Sequence, residues 1–355
     1  MDITALPREI FSGNIPKCGH VQGIATDGTY MYFSFTTMLI KTDMSGKLIG
    51  SATGLTGHLG CIAWSDTDKR VYGSLEFKND AIGRGILRSL GKEEENPDAF
   101  YIARFDVEKI TAPGMDALDC GIMTMVKLAD AVEDYGWTDG NLTHRHGCSG
   151  IDGITIVPDY NGRRSIFVAY GVYGDTARDD NDNQVLLRFD FDAISAQFTR
   201  ILPDDPGEGI RAADKLFVYT GNTTYGVQNL EYDPHTNCIL AAVYRGKKPQ
   251  FPNHPMYFID MAKPAVMRDG VTYLQLADRG ETHESGIRGG EFPLGSTGMI
   301  ALGDGYYYFS QSGRTAEGEQ WSRVILHKLD GDSNFLPVCP ASAATNARDA
   351  SCTSA

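Results

Sequence analysis

The sequence predicts an all-β, five-bladed β-propeller with four antiparallel strands to a blade. Three observations predict it. A unit of short strands and tight turns recurs five times along 355 residues. Glycine is abundant at 40 residues, and so are Tyr at 17 and Phe at 16, the composition of a turn-rich protein built from pleated, half-buried surfaces. The third strand of every unit ends in Asp, at Asp43, Asp106, Asp190, Asp260 and Asp330, where a carboxylate can cap the amides of the next turn.

Blade 1 opens on His20-Val21-Gln22-Gly23-Ile24, turns at Asp27-Gly28, and continues through residues 31–35, 38–43 and 47–50. Blade 2 begins at His58 and takes residues 60–63, 70–75, 100–106 and 123–126. Blade 3 takes 152–155, 165–170, 184–190 and 197–200, and blade 4 takes 228–231, 238–244, 256–260 and 272–275. Blade 5 takes 296–300, 306–310 and 324–330. Its fourth strand has two candidates, residues 335–338 and the N-terminal residues 9–13; the N-terminal segment is favoured, because it precedes His20 as residues 48–50 precede His58. Closing the ring this way removes exposed sheet edges. Residues 1–340 therefore form one domain, and the Ala/Ser/Thr-rich residues 341–355 a disordered tail.

The net charge of −14 argues against a nucleic-acid partner, which requires a basic stripe. Seven cysteines at irregular spacing, with no C-x-x-C pair, suggest neither a zinc ribbon nor a disulfide framework, and Cys61, Cys120 and Cys238 read as small core residues. No apolar run is long enough to span a membrane. A soluble protein is expected, secreted or periplasmic if a leader has been removed and otherwise cytoplasmic.

The turns between first and second strands are short, whereas the connections on the opposite face are long, at roughly residues 77–98, 129–148, 171–183, 205–225, 245–255, 278–295 and 311–322. Function is expected on that face. Aligned first strands place His20, His58, Gly150, Gly226 and Ser296 at one position near the axis, and Gln22, Gly60, Asp152, Gln228 and Gly298 two residues on with the same facing. The small residues at the blades that carry no such histidine are expected to leave room there for a ligand. His146 precedes blade 3, so His20, His58 and His146 are candidate ligands for a divalent ion, Zn or Ca, in the channel mouth. The acidic run 175–183 lacks EF-hand spacing and reads as a turn-rich loop. Second strands end on the same face at Glu76, Tyr170 with Tyr173, and Tyr244 with Arg245, and Tyr225 precedes blade 4.

The His20–Ile24 opening and the segment Tyr170-Gly171-Val172-Tyr173-Gly174-Asp175 resemble carbohydrate-active β-propellers. Among these, the resemblance is to propeller polysaccharide lyases and a related rhamnosidase family, which implies a His at the channel mouth, Tyr and Arg around it, and often a bound metal. Those lyases have seven blades where this sequence has five; five-bladed glycosidases rely on axial carboxylates, for which Asp152, Glu231 and Glu76 are candidates. The leading expectation is β-elimination on an acidic, uronic-acid-containing glycan. His20 or His58 would take the proton and Tyr170 or Tyr244 would protonate the leaving oxygen. Arg145, Arg245 or a metal would neutralise the carboxylate. Gln22, Tyr173, Tyr225 and Gln228 complete the expected binding surface for a small-molecule or oligosaccharide substrate. The alternatives are a metal-dependent hydrolase of glycosidase or lactonase type and a non-catalytic sugar-binding propeller.

Overall fold

The computed structural model describes residues 3–93, 95, 97–200 and 207–338; the expected tail, Cys339 and Cys352 lie outside them. Five sheets form the blades. Blade 1 is Val21–Thr26, Tyr30–Phe35, Met38–Asp43 and Leu48–Thr53, each antiparallel to the one before. Blade 2 is His58–Ser65, Arg70–Phe77, Ala99–Phe105 and Met123–Lys127. Blade 3 is Cys148–Tyr160, Arg163–Val172, Asn183–Asp190 and Asp214–Tyr219. Blade 4 holds Thr224–Asp233, Cys238–Tyr244 and Met256–Asp260, and blade 5 holds Met299–Gly303, Tyr306–Arg314 and Gln320–Asp330.

Both candidates for the last strand are used. Glu9–Phe11 pairs antiparallel with one half of Gln320–Asp330, Glu9 opposite Ile325 and Phe11 opposite Arg323. Asn334–Pro337 pairs with the other half, Asp330 opposite Asn334. Ile10 is buried in the cluster that holds Phe33 of blade 1 and Tyr308, Val324 and Leu326 of blade 5, so the N-terminal strand closes the ring as the repeat requires.

Two outer strands depart from the repeat. Residues 197–200 do not edge blade 3: Thr199 bridges to Met125 of blade 2, and Asp214–Tyr219 takes the outer position. Of residues 272–275, Thr272–Leu274 run parallel to that strand of blade 3, where Tyr273 packs on Phe217 with ring centroids 5.9 Å apart, and only at Gln275, which accepts from Asp260 N at 2.9 Å, does the chain reach the edge of blade 4. A strand's apolar pattern fixes which side it buries and leaves open which sheet it joins. Of the long connections, residues 77–98 contain the helix Ala81–Ser89 and residues 129–148 the helix Ala129–Gly136, and residues 311–322 mostly extend the hairpin of blade 5.

The blades stack face to face, so their strands are apolar on both sides rather than alternating. One cluster joins Tyr72, Phe100 and Ile102 of blade 2 to Ile154, Val168 and Val185 of blade 3. The strand-ending Asp residues are structural in two ways. Asp43 and Asp260 accept turn amides, from Ser45 and Lys47 and from Ala262 and Lys263. Asp106 and Asp190 instead pair with Arg70 and with Arg163 and Arg188. Cys61 and Cys238 are buried as expected, but Cys120 is exposed.

Candidate functional site

At the face that carries the long connections, the inner strands open on a cavity of about 420 Å³ lined by His20, Gln22, His58, Glu76, Lys78, Asp80, Asp152, Tyr173, Tyr225, Gln228 and Tyr244, with one wall supplied by the helix Ala81–Ser89. That volume suits a small organic ligand.

A repeated backbone device builds the cavity floor. Each of the first four inner strands carries a register shift at the same place, spanning Gln22, Gly60, Asp152 and Gln228. A bulge bends the strand and re-aims the side chain it carries. Side chains of neighbouring strands clasp the bulged carbonyls: Ser34 Oγ donates to the Gly60 carbonyl at 2.7 Å, Asn229 Nδ2 to that of Gln22 at 2.8 Å, and Ser74 Oγ to that of Asp152.

Two glycines in the aligned sets admit protein carboxylates rather than ligand. A Cβ at Gly60 would overlap Asp152 Oδ1 and stand 2.6 Å from Ser74 Oγ; a Cβ at Gly150 would overlap Glu76 Oε2 and stand 3.0 Å from Phe100. The space beside Gly60 and Gly150 is therefore occupied by Asp152 and Glu76.

Glu76, Lys78 and Asp80 alternate at the end of one strand and so share a face. Lys78 Nζ lies 2.6 Å from Glu76 Oε1 and 3.6 Å from Asp80 Oδ2, and donates to the Ser149 carbonyl at 2.7 Å. Glu76 and Lys78 are each only 5% exposed. Burial opposes the Lys78 charge, but Glu76 and Asp80 outweigh it and hold the ammonium protonated. Burial raises the Glu76 carboxyl, and Lys78 and the amide of Ile151, which donates to Oε2 at 2.9 Å, oppose that rise. Asp80 also caps the helix Ala81–Ser89, accepting from Gly83 N at 2.8 Å, and receives the Tyr173 hydroxyl at 3.5 Å.

Asp152 differs from these paired groups. Its Oδ1 is buried and has no hydrogen-bond partner among the described residues. Burial, and then the nearby charge of Glu76, push its pKa well above the ordinary carboxylate value. Tyr244 stands close enough to feel the Asp152 charge, though burial contributes more to its own raised pKa. Burial, with Lys78 and His20 adding to it, pushes His58 down to about 3 even though Glu76 Oε1 is 3.6 Å from its Nδ1. His20 reaches the mouth of the cavity, where surrounding protein lowers its pKa, and Gln22 Nε2 donates to its Nε2 at 3.2 Å. Both imidazoles are neutral at pH 7. The cavity thus holds a carboxyl that keeps its proton unusually far up the pH scale, beside neutral imidazoles and phenols.

His20, His58, Gln22, Tyr173, Tyr225, Gln228 and Tyr244 come together here as the sequence reading grouped them. Tyr170, Arg145, His146 and Arg245 do not line the cavity. Tyr170 lies on the opposite side of its strand from Gly171 and Tyr173, fully buried, and donates to Asp134 at 2.9 Å. Arg145 lies over the Trp137 ring and pairs with Asp134 at 3.3 Å. Arg245 pairs with Glu291 at 2.7 Å. His146, in a left-handed turn at φ 57, packs edge-on against Phe217 with ring centroids 4.9 Å apart.

The expected metal site of His20, His58 and His146 is therefore corrected. Among the described residues no three His, Cys, Asp or Glu side chains are grouped to hold an ion. In the acidic loop, Asp175 caps Ala177 N while Asp180 and Asp182 pair with Arg178 and Lys248. Glu231 lies at the opposite end of the axial channel, with Thr26, Ser65 and Arg164, and accepts from Ala301 N at 2.8 Å.

Sequence reading did not find Lys78 and Asp80. The alternation Glu76-x-Lys78-x-Asp80, continuing the period of a strand into a segment read as loop, is the signal that marks them. Among the described residues no helix is long and apolar enough to cross a membrane.

No protein-family model matches the chain, and no curated protein matches it by sequence. Solved structures similar to it include the Dos1 propeller, at 15% identity, covering 82% of this chain and 52% of that one, with a TM-score of 0.35. The chain thus spans about half the length of that structure. Others are a GH43 β-1,3-galactosidase with galactodeoxynojirimycin (10% identity, 92% of this chain and 97% of that one, TM-score 0.40) and a protein of unknown function from Bacteroides caccae (8% identity, 77% and 99%, TM-score 0.32). The reading of the site rests on its own geometry.

Proposed function

We propose that this propeller is a carbohydrate-active enzyme that hydrolyses a neutral glycoside by general acid–base catalysis, with Asp152 as the proton donor and His20 as the base that activates water. The observation that carries the reading is Asp152: a buried carboxyl lining the cavity, unpartnered at Oδ1 and with its pKa well raised. A carboxyl kept protonated in this way is what a leaving glycosidic oxygen requires. The tyrosines at 173, 225 and 244 offer flat faces to the C–H side of a sugar ring, and the amides of Gln22 and Gln228 suit its hydroxyls.

β-Elimination on a uronic acid fits less well. It needs a cation against the substrate carboxylate, and among the described residues lining the cavity Lys78 is the sole Lys or Arg, already paired with Glu76 and Asp80. Glu76 in turn is held by Lys78 and Ile151, which suits it to positioning His58 and raising Asp152 rather than to attack. The test is a panel of neutral and uronic-acid glycans assayed for both reducing ends and ultraviolet-absorbing unsaturated products. Release of reducing ends from a neutral glycoside, lost by about 10²- to 10⁴-fold in Asp152→Asn, supports the reading. Unsaturated products, or full activity in that variant, would overturn it.

A further inference from the structure

The helix Ala81–Ser89 turns one stripe into the cavity, Ile82, Gly85, Ile86 and Ser89, at the three- and four-residue spacing of a single helix face. This wall is mainly apolar, while the floor carries Asp152, Gln22 and Gln228. Ile86 is buried, whereas Ile82 is 43% exposed. The arginines of the helix, Arg84 and Arg88, are exposed and do not line the cavity.

Gly85 sits in the middle of the stripe. Glycine inside a helix is a cost unless something approaches closely. At Gly83 something does: a Cβ there would overlap the Lys78 backbone, with its carbonyl carbon at 2.7 Å. At Gly85 a Cβ would meet nothing within 4 Å. The packing of the protein therefore does not require glycine at 85, and its effect is to keep the apolar wall recessed by one side chain. For scale, an apolar cavity of about 150 Å³ takes up a benzene ring, and this one is about 420 Å³. It has room for a sugar ring on the polar side and an apolar group of similar size against the helix.

We infer that the Ile82–Gly85–Ile86 stripe is an apolar aglycone subsite, so that the substrates are glycosides carrying an alkyl or aryl group rather than sugars linked to a further sugar. The inference rests on the hydrolytic reading for the word substrate, but the subsite itself is testable by binding alone.

The test is calorimetric titration of the full chain and of Gly85→Leu with methyl and hexyl β-glucosides, the corresponding β-galactosides, and hexanol. Methyl and hexyl glycosides share the same leaving-group chemistry and differ in apolar length. At roughly fourfold per buried methylene, the hexyl compound binds the unaltered protein at least about tenfold more tightly than the methyl compound. In Gly85→Leu that ratio falls towards one and hexanol binding weakens, while the thermal midpoint holds or rises because leucine is the better helix former. A hexyl-to-methyl ratio near one in the unaltered protein, a ratio that Gly85→Leu leaves unchanged, or no binding of either the hexyl glycosides or hexanol overturns the subsite. Apolar preference without hydrolysis overturns only the hydrolytic reading; hydrolysis without apolar preference overturns only the subsite.

Discussion

Gly60 of blade 2 and Asp152 of the neighbouring blade 3 meet so closely that a side chain at 60 would occupy the space of the carboxylate. Gly60 does not have a positive φ, so the requirement for glycine there is steric and comes from the neighbouring blade. Gly60→Ala is expected to destabilise the protein by about 1–3 kcal/mol through overpacking and to displace Asp152. Gly136→Ala, where a Cβ meets nothing within 4 Å, serves as control and is expected to be neutral or stabilising. Thermal unfolding of the two variants checks this; equal midpoints would show that the blades yield to the added methyl.

The buried Glu76–Lys78 pair gives a second expectation. Lys78→Met leaves Glu76 without its cation in a site where both are 5% exposed. Removing one partner of a buried pair costs about 3–5 kcal/mol. The double variant Lys78→Met/Glu76→Gln is expected to recover part of that loss, because the more deeply buried of the two carboxylates that face Lys78 is then no longer charged. Denaturant unfolding of the four proteins closes the cycle, and additive losses would mean that the two groups are independent.

His58 makes stability depend on pH. Its pKa is about 3 in the folded chain against 6.5 for the free side chain. As pH falls below 6.5 the unfolded chain takes up a proton that the folded chain refuses, so stability is lost through the window from 6.5 down to about 3. The slope is about 1.4 kcal/mol per pH unit from this group alone. His58→Gln is expected to flatten the decline between pH 6.5 and pH 4, measured as the difference from the unaltered protein at each pH. Parallel curves would place His58 outside the titration.

Asp152 has the opposite sign. Its raised pKa means that the folded chain keeps a proton the unfolded chain has released, so at neutral pH ionisation favours unfolding. Asp152→Asn is expected to raise the thermal midpoint at pH 7, with the gain shrinking as pH falls towards the free value of 3.8. A group whose removal stabilises the chain while ending activity is a functional group held at a cost to the fold. A lower midpoint at pH 7 would assign Asp152 to structure.

How far the sequence reached is clearest at the inner strands. Aligning them grouped Gln22, Gly60, Asp152 and Gln228, and these are the positions spanned by the repeated register shifts. Periodicity carries such information, because each inner strand repeats one geometry. It does not reveal what fills the space beside a glycine: beside Gly60 and Gly150 that space is taken by Asp152 and Glu76. Nor does it follow a chain beyond regular strand. His146 was placed by counting back from blade 3, and its left-handed backbone turns the ring to Phe217 instead. Tyr170 shows the same limit in reverse: being one residue out of phase with Gly171 and Tyr173 puts it in the core with Asp134. The outer strands were the least legible, since Val271–Leu274 has the pattern of an edge strand but its partner, Asp214–Tyr219, belongs to the blade before.

The most direct test of the account is the pH dependence of kcat/KM on a neutral glycoside, for the unaltered protein and for Asp152→Asn. The expected profile is bell-shaped. Its acid limb comes from protonation of His20, whose pKa lies below 6.5, and its alkaline limb from ionisation of Asp152, whose pKa lies well above 3.8. In Asp152→Asn the residual activity is expected to keep the acid limb and lose the alkaline one. An alkaline limb that survives in Asp152→Asn would show that another group donates the proton, and would contradict the assignment on which the proposed function rests.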